Sequence, residues 1–444
     1  MSRSAGGPRI DIGLDEALAL VRASLAPLPA RSIPVHAAEG LVAAEDVTAL
    51  VDSPPRAVSL KDGYAVVSTD LEGASAGSPV LLERVGTATA GNPFRGQVAS
   101  GCAVRILTGA LLPAGADAVL SEEFTLPTAD GTVLCVADAA SGRNLLGAGA
   151  DVARGSVAAA AGLRLSPAML GYLASAGCGS VLVHPRPRVG LLATGDELVA
   201  PGLPLSPGQI YASNMVTLSG WLSRFRMESV LGSASDSEDA IEKTAAMLLP
   251  DCDVLLTSGG AWKSERDRTP AVLARLGFAP RFHRVRLGPG KAVAFGMIGD
   301  KPVFCLPGGP PSNEMAFLQI VLPALLWMAG RTEPPFPEAP VTVARELGGS
   351  ADWSRFFQAR LELNGRRLLA HPLRTGSRLL CQANAEALIR IPEGVDGIRP
   401  GQTAAAQLLT PESQALAAAC VPAPDGAAAP AGEPHPAGGN PRVP

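Results

Sequence analysis

Residues 301–317, KPVFCLPGGPPSNEMAF, set the reading of the fold. Val303, Phe304, Cys305 and Leu306 form a short apolar run of β type. Pro307-Gly308-Gly309-Pro310-Pro311 breaks it, and Ser312-Asn313-Glu314 opens an apolar helix over 315–328. A strand, a Gly/Pro turn and a helix start in that order leave backbone N–H groups facing one point, with the positive end of the helix dipole behind them. Such a turn suits a phosphate or another oxyanion. A tight connection that binds nothing has the same local sequence.

The preceding hundred residues repeat the arrangement twice. A strand over 189–193 leads into Thr194-Gly195-Asp196-Glu197 and a helix over 214–225. A strand over 228–231 precedes a helix over 237–249. A strand over 253–257 leads into Ser258-Gly259-Gly260 and a helix over 269–276, and strands follow at 281–285 and 292–295. Apolar runs unbroken by polar residues and separated by helices predict a parallel sheet covered on both faces. Ligands of such sheets sit at the carboxyl ends of the strands, where the TGDE, TSGG and LPGGPP turns fall.

On the amino-terminal side, 14–25 has helical spacing, with Asp11 in place to cap it and Pro27 and Pro29 to end it. Residues 34–50 read as two strands around Glu39-Gly40. Short β-type runs alternate with Gly and Pro from 57 to 136, a small all-β module. A short helix over 167–176 precedes a strand at 181–183. Beyond 186–332, another β-type region runs from 341 to 409. The Pro/Ala/Gly-rich tail is expected to be disordered, because it cannot bury enough surface to fold.

The chain has 444 residues, 47% hydrophobic and 18% charged, which is globular composition with room for several domains. A net charge of −4 and 4% aromatics, with no Lys/Arg stripe, argue against a nucleic-acid partner. Seven scattered cysteines without a CxxC pair argue against a disulfide framework or structural zinc. The amino terminus lacks a signal peptide's apolar core, and the longest apolar helix is too short to span a bilayer. A cytoplasmic protein without membrane contact is expected.

Several groups in these turns suit chemistry. Glycines at 259 and 260 let a ligand approach the backbone, and Ser258 adds a hydroxyl. Asp267 suits either a helix cap or a ligand contact. Asp196 reads as the turn residue and Glu197 as the carboxylate facing a crevice. Acidic groups beside a phosphate-binding turn make sense with Mg2+ between them, since bare carboxylates would repel the ligand. Asp62, in SLKDGYAV, joins such a set or simply makes an Asp-Gly turn. Gly288-Pro289-Gly290-Lys291 presents a lysine as a point charge for an oxyanion, or as an exposed loop residue. The five histidines show no metal spacing, and neither Walker A nor GxGxxG is present.

Taken together, these turns resemble the molybdopterin molybdenumtransferase family (MoeA and the E domain of gephyrin) over residues 10–410. The stretches that carry the resemblance are DSPPRAVSLKDGYAV, RILTGALLPAGADAVLSEE, GADV at 149–152, LASAGCGSVLVHPRPRVGLLATGDELVAPGLPLSPGQIYASN, DVLLTSGG, PGKAVAFG and VFCLPGGPPS. The resemblance implies an α/β plus β multidomain fold. Its parts are an elongated amino-terminal and dimerisation domain (1–51 and 142–185) and a small β domain (52–141). A central doubly wound, MogA-like α/β domain (186–332) and a C-terminal β-barrel-like domain (333–411) follow, then a disordered tail (412–444).

It implies homodimers that take adenylylated molybdopterin and molybdate with Mg2+, insert molybdenum into the dithiolene and release AMP. The molybdopterin adenylyltransferase and recipient molybdoenzymes are the implied protein partners. Combined with the reading of the turns, it points to Asp62, Glu197, Asp267 and Lys291 as catalytic. Thr108, Ser258, Gly259, Gly260, Pro307, Gly308 and Ser377 become substrate contacts, and Asp151, Glu197 and Asp236 metal ligands. Thr108, Asp151, Asp236 and Ser377 rest on the resemblance alone. The departures lie at the same place: Leu60-Lys61 before Asp62, Ala261 to Arg266 after the double glycine, Gly288 and Ala292 around Lys291, and Gly309 where the family usually has asparagine. They motivate two alternatives, tungstate in place of molybdate and a pterin-binding chaperone or scaffold without turnover.

Overall fold

The computed structural model describes residues 8–260, 269–373 and 376–420. The chain divides into two units: residues 27–185 with 329–331, and residues 1–26, 186–328 and 332–444.

The second of these is built on a seven-stranded sheet: β1 (Arg9–Ile12), β2 (Val189–Thr194), β3 (Ser229–Ala234), β4 (Val254–Ser258), β5 (Phe278–Val285), β6 (Ala294–Ile298) and β7 (Lys301–Leu306), in the order β1-β5-β6-β7-β4-β2-β3. Strands β2 and β4 are buried along their whole length, which is why their sequences are continuous apolar runs. The expected all-parallel sheet is mixed instead. Strand β6 runs antiparallel to both β5 and β7, while the other pairings are parallel. Only Gly299 and Asp300 separate β6 from β7, too few residues for a crossover helix, so the chain turns back as a hairpin.

Strand β1 pairs with β5 at the sheet edge, so residues read with the amino-terminal segment belong to this unit. Helix α1 (Leu14–Ser24) begins at Gly13, not at an Asp11 cap. Asp11 takes a positive φ of 54°, and its carboxylate pairs with Arg284 at 2.8 Å.

The faces are covered by α2 (Ser213–Arg224), α3 (Glu238–Leu248), α4 (Thr269–Arg275), α5 (Pro310–Ala316) and α6 (Leu322–Met328). Helix α3 shows why the sequence folds this way. Ser237 caps it by accepting from the Ala240 N–H, Glu238 and Asp239 sit in its first turn, and Ile241, Ala245 and Leu248 form its buried stripe. They pack with Leu192, Leu255, Val272, Phe278, Val303 and Cys305. Phe295 stacks between Phe282 and Phe304 at centroid distances of 5.6 and 4.7 Å.

The last helical stretch starts earlier than its apolar residues predict, at Pro310, because proline at the first helical position lacks only an N–H that would go unused. It is also interrupted. Residues Phe317–Val321 form a π-turn just before Pro323, whose missing N–H and ring disturb the preceding turn.

After residue 336, strands Glu338–Val343, Ser354–Asn364, Arg367–Pro372, Ala387–Ile391 and Thr403–Leu408 close into a five-stranded barrel, the second strand pairing with both the third and the fourth. Alternate residues such as Val341, Val343, Ile389 and Ile391 fill it. Ordered structure continues past residue 411: Pro411–Ala418 is a helix with Thr410 and Ser413 in a reciprocal capping box, so the expected tail starts later than 412. Residues 421–444 lie outside the described residues.

The other unit holds a six-stranded β module in which Gly63–Val66 is flanked by Cys102–Ile106 and Ala118–Ser121. Tyr64 and Val66 face one buried cluster and Ala65 the other, so both faces of this sheet are covered. Its second part joins Arg31–Pro34, Val42–Ala43 and Ser180–His184 in a sheet beside helix Pro167–Ser175.

Candidate active site at the carboxyl ends of the strands

Three turns meet at the carboxyl end of the seven-stranded sheet. A cavity of about 130 Å3 is lined by Thr194 and Glu197 after β2, by Ala212 to Met215 at the start of α2, by Ser258 and Gly259 after β4, and by Gly308 and Pro310 after β7. The register brings these ends level. Ala193 lies opposite Ser258, and Ser258 opposite Leu306. Gly259 takes a φ of 106° and donates its N–H to Leu306 O at 3.2 Å. A side chain there would press on the Thr194 carbonyl, so glycine is required by both conformation and space.

Ser258 and Thr194 are buried polar residues, 5% and 4% exposed. Ser258 Oγ accepts from Asn214 Nδ2 at 3.1 Å and from Asn313 Nδ2 at 3.0 Å. The same two amides donate to Gly308 O and Pro307 O, at 2.8 and 2.9 Å. Ser258 and the LPGG turn are thereby laced together across 50 residues of chain or so. Sequence reasoning missed Asn214 and Asn313. The available signal was an asparagine in an otherwise apolar helix opening, which needs partners if buried.

A second, polar cavity of about 550 Å3 adjoins the first through Glu197 and is lined also by Asp196, Asp236, Gly208 and Gln209. Asp196 holds the wall by accepting from the Asp236 N–H at 3.0 Å. Glu197 thus faces both cavities, and Asp236 the larger one. No group of three metal-binding side chains is preformed among the described residues. Mg2+, however, binds through one or two carboxylates plus substrate phosphates, and hard oxygen donors from Glu197 and Asp236 beside a phosphate-sized cavity fit that requirement.

The other expected positions lie elsewhere or apart. Lys291 is half-buried with its ammonium 5.5 Å from the ring centroid of Trp353, and it lines neither cavity. Ser377 is exposed and caps helix Arg378–Ala383 by accepting from Leu380 N at 3.2 Å. That helix is tied to the LPGGPP turn through Gln382, which donates to Pro310 O and to Glu314 at 3.2 and 2.8 Å. Glu314 also accepts from Trp221 Nε1 at 2.8 Å. Gly260 follows Gly259 at a φ of 64°, beside the buried Thr269 hydroxyl. Asp267 lies outside the described residues, as do Ala261 to Arg266.

Asp62, Thr108 and Asp151 belong to the other unit. Asp62 Oδ1 accepts from both the N–H and the hydroxyl of Thr108, at 2.7 and 2.8 Å. These bonds hold the Asp62 carboxyl below its usual pKa, with Arg105 adding a smaller pull in the same direction. Asp151 is exposed, its N–H bonded to Ser53 O at 2.9 Å.

Comparison with known proteins places these features in a context. The family model described as the MoeA N-terminal region (domain I and II) matches residues 12–177. The probable molybdopterin binding domain matches 190–327, and the MoeA C-terminal region (domain IV) matches 341–409. The chain is similar to the molybdopterin molybdenumtransferase of Haemophilus influenzae, 35% identical over 74% of this chain and 82% of that protein. It is 32% identical to molybdopterin molybdenumtransferase 2 of Mycobacterium tuberculosis over 83% of this chain and 93% of that one. The molybdopterin biosynthesis MoeA protein from Pyrococcus horikosii superimposes with a TM-score of 0.78 at 30% identity, covering 90% of this chain and 99% of that chain.

Proposed function

This chain belongs to the molybdopterin molybdenumtransferase family of molybdenum cofactor biosynthesis, and on that premise we propose that it moves molybdenum from molybdate to adenylylated molybdopterin, releasing AMP. The observation that carries the reading is the convergence of the TGDE, TSGG and LPGG turns on one small cavity whose walls combine a buried hydroxyl, side-chain-free backbone and a carboxylate. Backbone approach at Gly259 and Gly308 and hydrogen bonding from Ser258 suit the oxygens of a phosphorylated ligand. Gly260 and Pro307 shape the same turns.

Glu197 and Asp236 would hold Mg2+. When bound, the ion supplies charge neutralisation at the phosphoanhydride. Asp151 is proposed by itself as a metal ligand. Lys291 serves as the point charge for an oxyanion, with Trp353 limiting where its ammonium can go. Ser377 contributes a hydroxyl for molybdate. Asp62, held ionised by Thr108, and Asp267 are assigned to catalysis alongside Glu197 and Lys291. A homodimer is proposed, with the adenylyltransferase and recipient molybdoenzymes as protein partners. A cytoplasmic location is proposed as well. No described helix is long and apolar enough to cross a membrane.

The test is AMP release from purified adenylylated molybdopterin, with molybdate and tungstate compared. Release that requires both Mg2+ and the oxyanion, and that falls on the order of a hundredfold in Glu197→Ala, is expected. Full activity in the Asp62→Ala/Glu197→Ala double variant would refute the assignment. Tight pterin binding with no AMP formed under either oxyanion would identify a chaperone instead.

A further inference from the structure

We infer that Asn214 and Asn313 are positioning residues that fix the Ser258 hydroxyl as a hydrogen-bond donor aimed into the cavity. The identity of their donating atoms is set independently of Ser258. Each amide nitrogen lies against a backbone carbonyl, Gly308 O at 2.8 Å and Pro307 O at 2.9 Å, and a carbonyl oxygen can face only an N–H. Each amide therefore gives one hydrogen to the LPGG turn and the other to Ser258 Oγ, at 3.1 and 3.0 Å.

A hydroxyl carries two acceptor lone pairs and one proton. With both lone pairs engaged, Ser258 can only donate. Its proton has no acceptor among the described residues, and the side chain is 5% exposed while lining the cavity. Asn313 is 1% exposed, so its amide sits where an apolar side chain would cost less unless the hydrogen bonds matter. It lies one helical turn beyond Gly309, in the helix that opens at the LPGG turn.

The consequence is selectivity for an acceptor-only oxygen. A phosphate oxygen meets a donor already aimed before it arrives, whereas a ligand N–H or O–H finds no acceptor at that point. The identity of the ligand, a phosphorylated pterin, rests on the function proposed above.

The experiment titrates molybdopterin into the full chain by fluorescence, with thermal midpoints alongside. The proteins are wild type, Asn214→Asp, Asn313→Asp, Ser258→Ala and each Asp variant combined with Ser258→Ala. An aspartate accepts the Ser258 proton and turns it away from the cavity. Each single variant is expected to bind about tenfold to a hundredfold more weakly, the loss of one hydrogen bond to a charged oxygen. Each Asp substitution should cost less affinity in the Ser258→Ala background than in the wild type, the remainder being the lost bond to the LPGG turn, because the amides act in part through that hydroxyl.

Asp variants that bind like wild type overturn the inference. So do double variants whose losses multiply, since amides that merely hold the turn would cost as much affinity without Ser258. If Asn313→Asp does not fold, the half-buried Asn214 provides the same cycle. A folded wild-type chain that binds no molybdopterin would overturn the proposed function, and this inference with it.

Discussion

Replacing Gly259 by alanine tests whether the TSGG turn is held as tightly as its contacts require. At a φ of 106°, an alanine is strained whatever the space around it, at about 1–3 kcal/mol. Its Cβ would lie 2.6 Å from the Thr194 carbonyl oxygen and 2.9 Å from Thr194 Oγ1. Neither partner can yield easily, since Thr194 ends the fully buried strand β2 and is itself 4% exposed. Overpacking of this kind adds about 1–3 kcal/mol. The expected total is about 2–6 kcal/mol.

Gly309, in the neighbouring turn, supplies the control. It has an ordinary φ of −68° and no heavy atom within 4 Å of where its Cβ would stand, so alanine there should cost under about 1 kcal/mol. All four tryptophans, Trp221, Trp262, Trp327 and Trp353, belong by sequence to the unit that carries the sheet. Urea unfolding followed by tryptophan fluorescence therefore reports on that unit. Equal losses in Gly259→Ala and Gly309→Ala, or none in the first, would refute the reasoning.

Two further predictions concern titrating groups. The Asp62 carboxyl is lowered by the Thr108 N–H and hydroxyl, so its stabilising contribution is in place above the ordinary aspartate value of 3.8 and is lost as pH falls through the lower folded value. Thr108→Val should move the Asp62 titration, followed by carboxylate NMR, up toward 3.8; an unchanged midpoint would contradict the hydrogen-bonding account. Burial pushes the Cys305 thiol up to about 12 and Cys135 to about 11. Only Cys102 and Cys420 of the seven free cysteines are half-buried rather than buried. A thiol reagent at neutral pH should therefore label those two well before the rest, with all seven reacting in denaturant; early labelling of Cys305 would show the core to be open.

What the sequence made legible follows from the range of the interactions involved. Unbroken apolar runs such as 189–193 and 254–256 announce strands buried on both faces, and helices with a clear stripe and cap, such as Glu238–Leu248, came within a residue or two. Composition misleads about the direction of Ala294–Ile298, which is as apolar as the parallel strands elsewhere in the sheet; the two-residue connection at Gly299-Asp300 carries the information and outweighs composition. Arg9–Ile12 pairs with a strand some 270 residues away, and a four-residue alternation cannot announce that.

The same limit applies to the candidate site. The turns could be read because each is local. The bonds of Asn214 and Asn313 to Ser258 span 44 and 55 residues and have no local signature. Asp11 reads as a helix cap until Arg284, far along the chain, claims its carboxylate.

Hydrogen exchange of the full chain with and without molybdopterin tests most directly whether the strand-end turns form the pterin site. Slower exchange concentrated in the backbone amides of 194–197, 212–215, 258–260 and 308–309 is the predicted result. Unchanged exchange there, with protection at another surface or at none, would contradict it.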